Sequence, residues 1–347
     1  MVVCYFGLYN QNYSRNKILI NGLRKNQVEV IECHSNKKGL AKFWDLIVQH
    51  NKIRNQYDVM VVGFPGQLSM ILARFVTSKP IVFDAFLSFY DSMVFDRKIH
   101  SPNSLKALYF WFIDWLSCLL ANKILLDTNE HIKYFVKTFN INKSKFHRIF
   151  IGADETIFYP REKNNKEDKF VIHFHGTYIP LQGIKYIIDA ANILKNENIV
   201  FNLIGSGQQF KEMEKYITDL KINNINLTKF VPIEEVAEYI SKSDMCLGIF
   251  GDTDKAKRVI PNKLYECIAM KKPVLTASSD AILEKFDNYD NILLCNIADS
   301  NDLAAKILEL KNNHDLLDKI AENGYSLFTK EFSSEVLGKK LIDIIKQ

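Results

Sequence analysis

Lys263 and Glu266 stand three residues apart in the stretch Lys257-Arg-Val-Ile-Pro-Asn-Lys-Leu-Tyr-Glu-Cys-Ile-Ala-Met-Lys-Lys-Pro-Val274, so a helix there carries both on one face. Pro261 is expected at the first helical position, where its missing N–H costs nothing. The N-terminus of such a helix offers unpaired backbone N–H groups and a positive dipole end. With Arg258, Asn262 and Lys263 around it, this is a seat for a diphosphate. A carboxylate beside that seat suits vicinal hydroxyls, as the acidic residue of dinucleotide folds serves a ribose. The same spacing also fits an amphipathic helix on which Lys263 and Glu266 form an ion pair, and spacing alone leaves both readings open.

Two glycine turns bear on the choice. His175-Gly176-Thr177 and Gly205-Ser206-Gly207 each follow a short apolar run, and glycine lets backbone approach a ligand closely. Neither completes the G-x-G-x-x-G fingerprint, and no P-loop motif is present. Asp252-Thr253-Asp254 has D-x-D form but reads as two loop acids. The eight histidines show no metal-ligand spacing, so no metal is expected.

The elements that must position these residues follow one rhythm. Apolar runs without polar alternation are separated by helical stretches, which predicts parallel sheets covered on both faces. Strands are expected at Val2–Leu8, Val28–His34, Asp58–Phe64, Pro80–Asp84, Lys123–Leu126 and Lys145–Ile149, with Ser14 capping the first helix. The polar segment Pro160–Lys169 reads as a linker. After it the rhythm restarts with Phe170–His175, Val200–Gly205, Ile225–Phe230, Met245–Phe250, Pro273–Thr276 and Asn291–Cys295. The expected fold class is α/β, two doubly wound Rossmann-like domains at 1–160 and 161–347, facing each other across a cleft. The final helix is a candidate to pack back on the N-terminal domain.

The 347 residues are 47% hydrophobic and 12% aromatic, which excludes a disordered chain, a fibre or a cysteine-stapled scaffold. The six cysteines are scattered singly and read as reduced cytoplasmic thiols. MVVCYFGLYN lacks the basic leader of a signal peptide and reads as a first strand. Residues 1–160 carry 20 Lys+Arg against 12 Asp+Glu (+8), and residues 161–347 carry 25 against 28 (−3). A basic N-terminal half suits an anionic partner or simply a solvated lysine surface. Its basic residues are not interleaved with aromatics, which argues against nucleic acid. Leu105–Ala121 is marginal for spanning a bilayer. It fits a core helix, or an interfacial helix with Trp111 and Trp115 at headgroup level and Arg97, Lys98 and Lys106 on anionic lipid.

With HGTYIPLQGIKYIIDAANIL, FNLIGSGQQF and VIPNKLYECIAMKKPVLTAS, the half from Phe170 onward resembles the family 4 retaining glycosyltransferases of the GT-B fold. YFGLYNQNYSRNKILINGLRKNQVEV, VFDAFLSFYDSMVFDRK and LLDTNEHIKYF are similar to a bacterial subgroup acting on surface polysaccharides. The resemblance implies transfer of a sugar, with retention, from a nucleotide-diphosphate sugar to a glycan or lipid-diphosphate-linked acceptor, with no metal or other cofactor. It implies a cytoplasmic enzyme, peripheral on the inner face of the membrane. Glu266 would hold the donor ribose, with Lys263 and Arg258 neutralising the diphosphate and Gly176, Thr177, Gly205, Gly207 and Asn262 lining the donor. Asp84 is the candidate for contact with an acceptor hydroxyl and, with Glu266, the expected catalytic pair. It stands in Phe83-Asp84, where many relatives have His–Asp, and as an ordinary residue it would be a cap or turn. Arg15 is the candidate for an anionic acceptor or the donor phosphates. Two departures stand out: Arg258 occupies the position of the first acid of the family's E-x7-E motif, and Gln182-Gly183 replaces the usual Lys-Gly. Two further functions fit the fold, a nucleotide-sugar epimerase and a non-catalytic binding protein.

Overall fold

A computed structural model describes residues 1–162 and 169–347, so residues 163–168 of the predicted linker lie outside the described residues. The chain divides into two compact units, Met1–Gly152 with Phe332–Gln347, and Ala153–Glu331.

The first unit alternates β1 (Val2–Gly7), α1 (Ser14–Lys25), β2 (Glu29–His34), α2 (Ala41–Ile53), β3 (Val59–Val62), α3 (Gln67–Val76), β4 (Ile81–Phe86), α4 (Leu105–Leu120), β5 (Lys123–Leu126), α5 (Asn129–Phe139) and β6 (Phe146–Arg148). All six strands are parallel, in the order β2-β1-β3-β4-β5-β6. Every residue of β3 and β4 is buried, which is why these strands show no alternation. A π-helical turn, Asp91–Asp96, precedes α4. Tyr13, not Ser14, is the N-cap of α1, and it makes no side-chain capping bond.

The structure corrects the expectation for Asp84 and Arg15. Strand β4 continues past Asp84, and both side chains are fully buried. Arg15 Nε donates to both Asp84 oxygens at 3.0 and 2.9 Å, and its Nη2 donates at 2.7 Å. Its Nη1 donates to the carbonyls of Ile149 and Phe150. The pair is occupied with itself and ties α1, β4 and the segment after β6 together. Neither side chain is exposed to solvent.

The second unit runs β7 (Phe170–His175), α6 (Ile184–Ile193), β8 (Ile199–Ile204), α7 (Phe210–Asp219), β9 (Ile225–Thr228), α8 (Ile233–Lys242), β10 (Met245–Leu247), α9 (Asn262–Ala269), β11 (Val274–Ala277), β12 (Leu293–Cys295), α10 (Ser300–Lys311) and α11 (His314–Glu331). Its parallel sheet has the order β12-β11-β10-β7-β8-β9. The order reverses between β7 and β10, and ligands in open α/β sheets bind outside the carboxyl ends of strands at such a switch point.

The last helix, α12 (Ser334–Lys346), belongs to the first unit and crosses α1 at backbone contact. A Cβ at Gly338 would lie 2.1 Å from the carbonyl carbon of Gly22, so the crossing requires both glycines. Lys25 Nζ donates to Ser334 Oγ, and Asn26 Nδ2 to the Glu335 carbonyl, each at 2.8 Å.

Breaking one side of the buried Arg15–Asp84 pair leaves an uncompensated charge. Arg15→Met and Asp84→Leu should each cost about 3–5 kcal/mol in urea unfolding, with the double variant costing less than either. Additive losses would contradict the pairing.

Candidate functional site

The switch point of the second unit collects the residues singled out by type and spacing. Strand β7 delivers His173 and His175 to one face, since positions two apart on a strand share a side. The residue after it, Gly176, has a φ of 156°, which suits glycine. A Cβ at Gly176 would sit 2.9 Å from Lys263 Nζ, and one at Gly205 would sit 1.9 Å from the Gly176 carbonyl oxygen. The two turns therefore touch backbone to backbone. Gly207 packs in turn on the Tyr178 backbone.

Lys263 lies in the first turn of α9, whose N-cap is Pro261, one position earlier than the sequence suggests. Its side chain is buried, with 4% residue exposure. Nζ donates to Gln182 Oε1 and to the Gly248 carbonyl at 3.4 Å, and lies 3.5 Å from the centroid of the Phe174 ring. Among the described residues no carboxylate pairs with it. Burial therefore pushes its pKa well below the usual lysine value, against the opposing charges of Cys267 and Glu266. An anion delivered here would meet an amine held by neutral groups and would favour its charged form.

Glu266 does not pair with Lys263. Its Oε2 is 2.7 Å from His175 Nε2, and His175 Nδ1 is 2.8 Å from His173 Nε2. Burial, reinforced by the charges of His175 and Lys263, holds His173 well below the usual histidine pKa. The contacts join His173, His175 and Glu266 in one chain, in which a His175 that carries its proton on Nε2 donates to Glu266 and accepts at Nδ1 from His173. One oxygen of Glu266 is held while Oε1 stays available to hydroxyl donors. Sequence reasoning missed this relay, although the two-residue spacing of the histidines on β7 was a signal for it.

A cavity of about 270 Å³ opens beside these residues, lined by His175, Gly176, Thr177, Gly205, Ser206 and the 82% exposed Phe230. Of the expected donor residues, Gly176, Thr177 and Gly205 meet in this cavity. Lys263 and Glu266 touch its wall through Gly176 and His175. Arg258 is half-buried in the 3₁₀ turn Ala256–Arg258, and Asn262 opens α9. Gly207, Arg258 and Asn262 do not line the cavity. Arg15 and Asp84 belong to the other unit. Asp254 pairs with Lys257 at 3.7 Å, and among the described residues no cluster of three His, Cys, Asp or Glu could hold a metal.

Two units, each built on a parallel six-stranded Rossmann-like sheet, have the GT-B class of fold. Residues 156–327, within the second unit, match the family described as Glycosyl transferases group 1. An uncharacterized glycosyltransferase of Methanocaldococcus jannaschii is 28% identical over 241 residues, 67% of this chain and 61% of that protein. The match thus spans about three fifths of that relative's length. The Anabaena protein HepE, solved with UDP and glucose, superposes with a TM-score of 0.76 at 14% identity, covering 100% of this chain and 99% of that one. Sucrose-phosphate synthase of Thermosynechococcus elongatus gives a TM-score of 0.77 at 12% identity, covering 100% and 98%.

His173 should remain neutral at about pH 6 in ¹⁵N NMR, where an ordinary histidine is largely charged. The unfolded chain takes up this proton near pH 6.5 and the native state does not, so the residue's contribution to stability falls as pH drops below that value. A native His173 that titrates near 6.5 would contradict the relay.

Proposed function

We propose that this protein is a glycosyltransferase that moves a sugar from a nucleoside-diphosphate sugar to a glycan or lipid-linked glycan acceptor, with retention, in surface polysaccharide assembly. The observation that carries the reading is the buried Lys263 side chain, which has no carboxylate partner among the described residues, at the switch point of the unit that matches Glycosyl transferases group 1. The family match, and the UDP held by a protein of the same fold, support a nucleotide donor.

In this reading the diphosphate sits against Lys263, the open N–H groups at the start of α9 beside Asn262, and Arg258. The last supplies positive charge where family members carry an acid. Glu266, held by His175, accepts hydrogen bonds from the ribose hydroxyls. The base lies in the cavity on Phe230, with Gly176, Thr177 and Gly205 as floor. The bond from the anomeric carbon to the β-phosphate oxygen breaks while the acceptor oxygen bonds to the same face. The acceptor proton passes to the leaving phosphate. Lys263 stabilises the charge developing on that phosphate, a role that fixed charge in a dry site performs well. No metal or other cofactor takes part in this scheme. Asp84 and Arg15 act on the framework of their unit rather than on substrate. All six cysteines are unpaired thiols, in keeping with transfer in the cytoplasm.

UDP, GDP and ADP should be screened by thermal shift; a nucleotide at a hundredfold excess over its Kd adds about 2.7 kcal/mol of stability. Burial lowers the Lys263 pKa and a bound anion raises it again, so nucleotide binding should take up protons, and its affinity should weaken as pH rises through the Lys263 pKa of the free protein. Calorimetry in buffers of different ionisation enthalpy reads that uptake. Lys263→Ala should lower transfer by about a hundredfold or more. No shift with any of the three nucleotides, or full transfer by Lys263→Ala, would overturn the reading.

A further inference from the structure

Helix α4 buries a carboxylate and a hydroxyl on its inner side while its outer side is apolar. Its buried face carries Ala107, Asp114, Ser117 and Cys118, each 0% exposed. Asp114 accepts from Ser88 Oγ at 2.7 Å, from the Tyr90 N–H at 2.9 Å and from Gln67 Nε2 at 3.3 Å. Ser117 Oγ lies 2.9 Å from the Gln67 carbonyl, to which it donates. The opposite face carries Leu105, Leu108, Tyr109, Phe112 and Leu119, exposed by 86, 61, 46, 44 and 48%. Their spacing, i, i+3, i+4, i+7 and i+14, makes one stripe along the helix. A surface helix of a globular protein shows the opposite arrangement. Ile99, 55% exposed, adds to the apolar surface just ahead of the helix.

The sequence leading into the stripe, and along it as far as Ile113, carries charges of one sign. From Arg97 to Ile113 the chain has no acidic residue, and Lys98 and Lys106 are exposed. Trp111 and Trp115 are not on the stripe. They stack with centroids 6.1 Å apart and pack on the core, and Trp111 Nε1 donates to the Thr138 carbonyl. Among the described residues no helix is long and apolar enough to cross a membrane.

We propose that α4 lies in the plane of an anionic lipid surface, with Leu105, Leu108, Tyr109 and Phe112 in the acyl boundary and Lys98 and Lys106 on lipid phosphates. A helix of this length spans about 24 Å, enough for a stripe that binds by lying flat. A second copy packed stripe against stripe would offer no acid from residues 97–113 to these lysines, because a two-fold interface uses the same patch twice. Lipid satisfies both the apolar stripe and the cations. The inference does not depend on the proposed transfer reaction.

Flotation of the full chain with vesicles of neutral phosphatidylcholine, and with vesicles that also contain phosphatidylglycerol, tests it. The chain should float with the anionic vesicles, and high salt should release it. Lys98→Gln and Lys106→Gln should each weaken binding by roughly fivefold. Leu105→Asp with Leu108→Asp should abolish it while the melting temperature stays unchanged, since both positions are exposed. No flotation with anionic vesicles, or equal flotation of the aspartate variant, would overturn the proposal. So would a wild-type dimer that dissociates on the same substitutions without ever binding vesicles.

Discussion

A lysine ammonium buried among neutral partners is the constraint around which the second unit is arranged. Taking such a charge out of water costs several kcal/mol unless an anion joins it. The site meets part of that cost with the Gln182 amide oxygen, the Gly248 carbonyl and the Phe174 ring. These are dipoles and a quadrupole, which hold the amine in place without cancelling its charge. The glycines follow from the same requirement. With a side chain at 176, Lys263 would be displaced, and with one at 205 the Gly176 backbone would be displaced in turn.

Arg15 provides the contrast within the same chain. It too is buried, but it meets a carboxylate in bidentate geometry and two backbone carbonyls, so its charge is spent on holding three elements together. Both cations follow a strand–turn and sit at the start of a helix in a parallel α/β unit. Burial and position do not separate the carboxylate-paired residue from the one held by neutral groups. Only the partner chemistry does: a carboxylate closes a site, whereas an amide and a carbonyl leave it open.

That distinction marks how far the sequence could be read. Both sheets were legible because parallel strands covered on two faces lose polar alternation, and the nearness of Lys263 to Glu266 was legible because they lie within one helix turn. The Arg15–Asp84 pair was not, because its partners are 69 residues apart and nothing local signals that they meet. Asp84 at the end of an apolar run reads equally as an exposed strand end and as the middle of a strand running on to Phe86. The histidine relay joins β7 to α9 across 91 residues, and only its β7 half has a local period. The E-x7-E departure at Arg258 was visible, but the 3₁₀ turn that carries it was not.

Helix α4 was the hardest to orient, and the reason is physical. Its residues are apolar nearly all round, so hydropathy alone does not say which side meets the sheet. The decision is made by Asp114 and Ser117, because buried polar groups need partners and these are fixed in place by Ser88, Gln67 and the Tyr90 N–H. Once they turn inward, the helical period leaves Leu105, Leu108, Tyr109 and Phe112 no side but the outer one. The two tryptophans fall between the faces and lie against the core. The apolar surface of the first unit is thus a consequence of satisfying one buried carboxylate, and the lysines beside it give that surface its sign.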